Sequence, residues 1–186
     1  MKKSRRKGSV LALSGLVLCL CFMIACQDKA AMAELEKFKA QAAVEQQNKA
    51  LAGRVMAAIG RSDLAVIEEL VSPEFIEYTP STTVAMRSLA EFVEHVKMIH
   101  KGVSDFSINL VEPCAEGDIV TSRYVMSGIH QGEFLGIPPT GNKFKGSGIL
   151  IFRIKNGKVV ELWEEFDGVG LLEQLGMELK PKEIKK

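Results

Sequence analysis

The chain has 186 residues, 47% of them hydrophobic and 25% charged, with 24 basic against 23 acidic side chains and a net charge of +1. That length accommodates one domain of ordinary size with a full core, and the balance of charge, with no basic stripe, excludes a nucleic-acid-binding footprint. No HExxH, CxxC, phosphate-loop or dinucleotide glycine pattern is present, so neither a metal nor a cofactor is expected.

The first residues are unlike the rest. Lys2, Lys3, Arg5, Arg6 and Lys7 precede an apolar run from Val10 to Ile24 that only Ser14 and Gly15 interrupt. A charged start followed by a short apolar run is the pattern of a secretory signal, and the run is short for a membrane span. It ends Met23-Ile24-Ala25-Cys26, which resembles a bacterial lipobox, in which a small residue precedes a cysteine that is acylated and becomes the new first residue. This implies a signal peptide over 1–25, lipidation at Cys26 and a membrane contact through that anchor. The protein would then sit on the periplasmic side of the outer membrane if the cell is Gram-negative, since Gln27 and not Asp follows the cysteine, or on the outer face of the plasma membrane if it is Gram-positive. Removing the five cations of the leader, which holds no acid, leaves a mildly acidic remainder. Cys19 and Cys21 leave with the leader, so Cys114 stands alone, forms no internal disulfide and reads as a small buried filler.

Residues 26–47 are rich in Ala, Glu, Lys and Gln, strong helix formers with little to bury, and read as a helical or flexible tether. The domain proper spans 48–178, followed by a basic tail at 179–186. Leu51, Val55 and Ile59 recur at i, i+4 and i+8 and mark one apolar helix face, closed by Gly60. Ser62 or Asp63 caps a second helix facing inward through Leu64, Ile67 and Leu70, which Ser72-Pro73 stops. A short strand at 75–78 and a loop follow. Ser88 and Glu91 form a capping box that opens a third helix, buried through Leu89, Phe92, Val96 and Ile99 and ended by Gly102. His95 and His100 lie about 140° apart on that helix and form no metal pair; Glu91, Glu94 and His95 read as its solvated face.

From there the period changes to two. Phe106-Ile108-Leu110 and the stretch 119–124 alternate, 149–154 is β-branched, and Asn156-Gly157 between apolar runs marks a hairpin. Val159 to Phe166 is the last strand, and Leu171, Leu172 and Leu175 before Gly176 suggest a closing helical turn. Helices followed by a strand meander specify an α+β fold, with helices on one face of a bent antiparallel sheet that curls into a cone.

Two stretches carry a more specific likeness: Ser127-Gly-Ile-His-Gln-Gly-Glu-Phe-Leu-Gly-Ile-Pro-Pro-Thr-Gly141, and Gly157-Lys-Val-Val-Glu-Leu-Trp-Glu-Glu-Phe-Asp167 with Leu171-Leu-Glu-Gln-Leu-Gly176. Together they resemble the ester cyclase branch of the SnoaL-like polyketide cyclases, within the NTF2-like superfamily. The resemblance runs from about Met56 to Gly176. It implies an NTF2-like cone-shaped barrel around an apolar cavity that takes a small apolar molecule. It also implies intramolecular aldol chemistry at a polyketide methyl ester, with an aspartate as acid/base and no metal. A homodimer through the outer sheet face is a further expectation from it.

The residues point to candidates within that frame. Trp163, Glu165 and Asp167 are spaced by two and share a sheet face, where a carboxylate against indole would have its proton affinity raised. Asp167 is therefore the candidate general base, with a helix cap as the structural alternative. His130 is the candidate hydrogen-bond donor to a developing enolate, with a core histidine as its alternative. Tyr124 and Met126 share the face of His130 and are expected to line the cavity, with Tyr78, Trp163 and Glu165. Tyr78 stands in Glu77-Tyr78-Thr79-Pro80, where relatives often carry Asp-His-x-Pro. That departure favours a non-catalytic pocket protein, a carrier or sensor, as the rival to an enzyme, with a protein-interaction module as the third reading.

Overall fold

The computed structural model describes residues 5–79, 86–178 and 180, and of residues 5–28 the backbone alone. The side chain of Cys26, the loop 80–85 and the tail other than Lys180 lie outside the described residues, and with them the predicted lipidation site. The chain divides into two compact units, Met1–Ala43 and Val44–Lys186.

The first unit holds most of helix α1 (Arg5–Arg61). Its side chains from 29 to 43 are exposed, including Met32, Leu35 and Phe38. Among the described residues, no helix is long and apolar enough to cross a membrane.

In the second unit the end of α1 buries Ala52, Val55, Met56 and Ile59. Asp63 caps α2 (Leu64–Leu70), its carboxylate accepting from the Val66 N–H at 3.3 Å. β1 (Val71–Tyr78) follows without a loop and takes in Pro73. Ser88 caps α3 (Leu89–Gly102) and accepts from the Glu91 N–H at 3.2 Å. The Glu91 carboxylate reaches back one residue further than a standard capping box, to the Arg87 N–H at 2.8 Å. Then come β2 (Val103–Glu116), β3 (Ile119–His130), β4 (Lys143–Lys155) and β5 (Lys158–Phe166), closed by α4 (Gly168–Gln174). Asn156 and Gly157 both have φ > 0 and make the two-residue turn between β4 and β5 that their sequence signals.

The five strands are ordered β1-β5-β4-β3-β2. β2 to β5 form the expected antiparallel meander, but β1 pairs parallel with β5, so the sheet is mixed. Hairpins dictate direction within the meander. β1 reaches β5 only through α3 and three strands, a connection long enough to allow either direction.

The sheet curls around α1, α2 and α3 by identifiable means. β2 has register shifts at Ser104–Ser107 and Val111–Cys114, and Asp105 and Glu112 stand inside them with φ of 51° and 53°. Such bulges bend and twist a strand. Cys114, expected to be buried, is exposed there; the second shift breaks the alternation that would have set its face. The core joins α1, α2 and α3 to the concave sheet face through Ile67, Val96, Val120 and Phe152, each with no exposed surface. A second cluster, Val103, Phe134, Phe144, Leu171 and Leu175, closes the end near α4. Phe152→Ala should therefore leave a void at the centre of the sheet and cost about 3–5 kcal/mol, read as a lowered midpoint in urea.

Candidate active site

The concave face does not close completely. A cavity of about 500 Å³ remains between α1, α3, α4 and the sheet, within the range of small-molecule sites. Most of its wall is apolar: Met56 and Ile59 from α1, Phe92 and Ile99 from α3, Phe106 and Ile108 from β2, Leu150 and Phe166 from the sheet centre, Leu171 from α4. Phe134 and Leu135 enter from the loop after β3, which is fixed by the Gln131 and Gly132 N–H groups donating to the Gly102 carbonyl at 2.9 and 2.8 Å. The polar part of the lining is Glu77, Thr79, His95, Tyr124 and Glu164.

The register explains how three of these meet. On β5, Leu162, Glu164 and Phe166 point inward. Glu77 on β1 pairs with Leu162, so it is the diagonal neighbour of Glu164. Tyr124 lies two strands away on β3, opposite Gly148 of β4. A Cβ at Gly148 would stand 2.6 Å from the Tyr124 ring. Because no side chain stands there, the ring lies across β4 and its hydroxyl donates to Glu164 Oε1 at 2.5 Å. Gly146 gives Met126 the same freedom, with a Cβ there 2.6 Å from its methyl group.

Two carboxyl groups in an apolar hollow oppose each other's ionisation. Burial, and then the charge of Glu164, push the Glu77 carboxyl up to about 8. Its Oε2 has no hydrogen-bond partner among the described residues. Burial also raises Glu164, against the hydrogen bond from Tyr124, which favours its ionised form. Tyr124 is raised by burial, by the charge of Glu164 and by the bond it donates, so it remains a proton donor through the physiological range. Burial lowers His95, whose imidazole is neutral at neutral pH. Both carboxyls are thus held above the usual carboxylate range, and they titrate as a pair.

The sequence-predicted residues divide. Tyr124 and Met126 line the cavity. Trp163, Glu165 and Asp167 lie on the opposite side of β5. Trp163 stacks on Tyr78 with ring centroids 5.2 Å apart, and the Arg153 guanidinium lies 5.6 Å from the Trp163 centroid; Tyr78 therefore faces outward as well. Arg153 is itself held by Glu161 at 2.7 Å and Asp118 at 3.2 Å. Glu165 is exposed. Asp167 is also exposed and caps α4, accepting from the Gly170 N–H at 2.9 Å, which is the structural alternative the sequence had offered. The face reversal comes from an irregularity at the start of β5: the register shifts between Arg153 and Ile154, so Val159 and Leu162 both point inward and the alternation changes parity.

His130 is fully buried at the end of β3, outside the cavity lining. Its Nδ1 lies 3.0 Å from Thr140 Oγ1, its ring is edge-on to Phe134 at 6.3 Å, and Nε2 has no partner among the described residues. His95, read as solvated, instead faces the cavity. Sequence reasoning missed Glu77 and Glu164. Signals for both were present: Phe75-Glu77-Thr79 alternates from a buried aromatic, and Leu162-Glu164-Phe166 is the more apolar of the two faces of β5. Among the described residues no group of three or more His, Cys, Asp or Glu side chains could hold a metal ion.

Such an arrangement defines a class: a curved-sheet α+β pocket protein with a buried acid pair facing an apolar cavity. Comparison with known proteins makes the class specific. The family model for the SnoaL-like polyketide cyclases matches residues 49–175, and the chain belongs to that family. It is 28% identical over 109 residues to aklanonic acid methyl ester cyclase DnrD of Streptomyces peucetius, covering 58% of this chain and 72% of that protein. To the nogalonic acid methyl ester cyclase of Streptomyces nogalater it is 37% identical over 62 residues, 32% of this chain and 45% of that one. Among solved structures, TsrD from Streptomyces laurentii superposes with a TM-score of 0.63 at 30% identity, over 70% of this chain and 96% of its own.

The buried acid makes stability depend on pH. Glu77 has an ordinary value of 4.5 and a folded value of about 8, so between these the folded state binds more protons than the unfolded one. Stability should fall as pH rises through that window. Glu77→Gln should flatten the decline, as measured by denaturation midpoints at pH 5 and pH 8.

Proposed function

We propose that the protein catalyses proton transfer beside a carbonyl group of an apolar ester, leading to ring closure in the manner its relatives' names describe. The observation that carries this is the pair Glu77 and Glu164 lining a single apolar cavity, with Tyr124 donating a hydrogen bond to Glu164. In this reading Glu77 holds a proton and Glu164 is ionised. Glu164 takes the proton alpha to the carbonyl. Tyr124 holds Oε1, which leaves Oε2 to receive it. As charge moves to the carbonyl oxygen, Glu77 donates its proton there, so the intermediate is an enol and no full charge is stranded in the apolar site. The enol carbon then attacks a second carbonyl of the same molecule. The new oxyanion takes its proton from Glu164, and Glu77 recovers its own from the enol oxygen, so both acids return to their starting state. His130 and Asp167 have structural parts in this scheme, as strand-end core residue and helix cap.

The substrate named for the cited relative, aklanonic acid methyl ester, provides the test. Incubation in D2O should exchange the acidic C–H and close the ring, both followed by NMR. Glu164→Gln should slow exchange by about 10²-fold or more, while Asp167→Asn, which keeps a good cap, retains it. Equal loss in both variants, or exchange unchanged in Glu164→Gln, overturns the assignment.

The same proposal includes export and lipid anchorage at Cys26, supported by the cationic start, the short apolar run and the Met-Ile-Ala-Cys sequence. Metabolic labelling with a radiolabelled fatty acid should mark the wild type and fractionate it with membranes. Cys26→Ser should remain unlabelled and keep its leader.

A further inference from the structure

We infer that the cavity also binds lipophilic ammonium ions, seating the cation against Glu164 and the hydrocarbon against the apolar wall. This goes beyond the catalytic reading, since it requires no turnover.

The argument is one of unbalanced charge. Glu164, Glu77, Tyr124, His95 and Thr79 make up the polar lining, and no Lys or Arg stands among the described lining residues. The Glu164 carboxyl therefore has a hydrogen bond from Tyr124 but no cationic side chain beside it among the described lining residues. A carboxylate removed from water without a cation is strongly penalised. A bound ammonium ion supplies that cation in a site of low dielectric, where the attraction is stronger than in water. It can share its N–H groups between Glu164 and Glu77 Oε2, which is buried and without a partner among the described residues. His95, kept neutral by burial, adds no repulsion. The remaining groups facing the site, from α1, β2, β4 and α4, are uncharged. The same field works against a carboxylate ligand. About 500 Å³ suits a fused two-ring skeleton.

The test uses three probes of one skeleton at pH 7.5 with the full chain: 2-naphthylmethylamine, 2-naphthylmethanol and 2-naphthoate, titrated calorimetrically. The amine should bind about tenfold or more tighter than the alcohol, the increment of a charge-assisted hydrogen bond, and the carboxylate weakest of the three. In Glu164→Gln the amine and the alcohol should bind alike, and retained alcohol binding shows that the cavity is intact. An amine no tighter than the alcohol in the wild type overturns the inference, as does an amine preference that survives in Glu164→Gln; exchange in D2O, measured separately, decides the catalytic reading. If Glu164→Gln fails to fold, Glu164→Leu, an apolar side chain in an apolar wall, provides the second variant: the amine and the alcohol should again bind alike, and an amine preference that survives there overturns the inference.

Discussion

The hydrogen bond from Tyr124 to Glu164 is the interaction on which the site depends, because it is made where little water competes for either partner. An ionised carboxylate in such a place needs a donor, and a tyrosine hydroxyl supplies one without adding charge. The bond crosses an entire strand. It exists because β4 carries Gly148 at the point where the ring passes, and because β5 turns Glu164 rather than Glu165 toward the hollow. The raised proton affinity of Glu77 comes first from its own burial and then from the charge of Glu164 beside it.

The surrounding architecture keeps this arrangement dry and open. Helices α1 and α3 and the curled sheet bury a continuous apolar core, but the bulges of β2 and the inner-face glycines of β4 curve the sheet so that the core does not fill its wide end. The void forfeits packing energy that a tighter fold would have gained. In exchange the fold leaves a cavity onto which Glu77, Glu164 and Tyr124 all face. The convex side of the same sheet has a separate set of interactions, where Tyr78, Trp163 and Arg153 stack and Arg153 pairs with Glu161 and Asp118. These secure the parallel β1–β5 pair, an edge that no hairpin holds in place.

Much of the fold was legible along the chain. Asp63 and Ser88 cap the helices they were expected to cap, Asn156-Gly157 turns the hairpin, and the passage from a period of 3.6 to a period of 2 marks where helices give way to strands. These are local rules, satisfied within a few residues, and they hold wherever the chain goes. The direction of β1 was not legible, because it rests on pairing between segments some eighty residues apart. The inward face of β5 was signalled only by the apolar company of Leu162 and Phe166, against the parity set by Val159. Val159 and Trp163 have the same parity, and a single irregularity between them moved Trp163, Glu165 and Asp167 to the outside and Glu164 to the inside.

The sequence by itself determined the element types, their order, the helix caps and the SnoaL-like membership written in the run around His130 and in the last strand. It also held the composition of the site, since only a handful of acids stand in otherwise apolar strands. Tertiary structure decided which of those acids are buried and which merely cap or face water. Alternation along a strand tells which residues share a face, but a face becomes an interior only when another layer covers it, and one bulge reverses the assignment of every residue beyond it. Proton affinity follows burial, so which acids are perturbed was decided by the three-dimensional fold and not by the spelling of the motif.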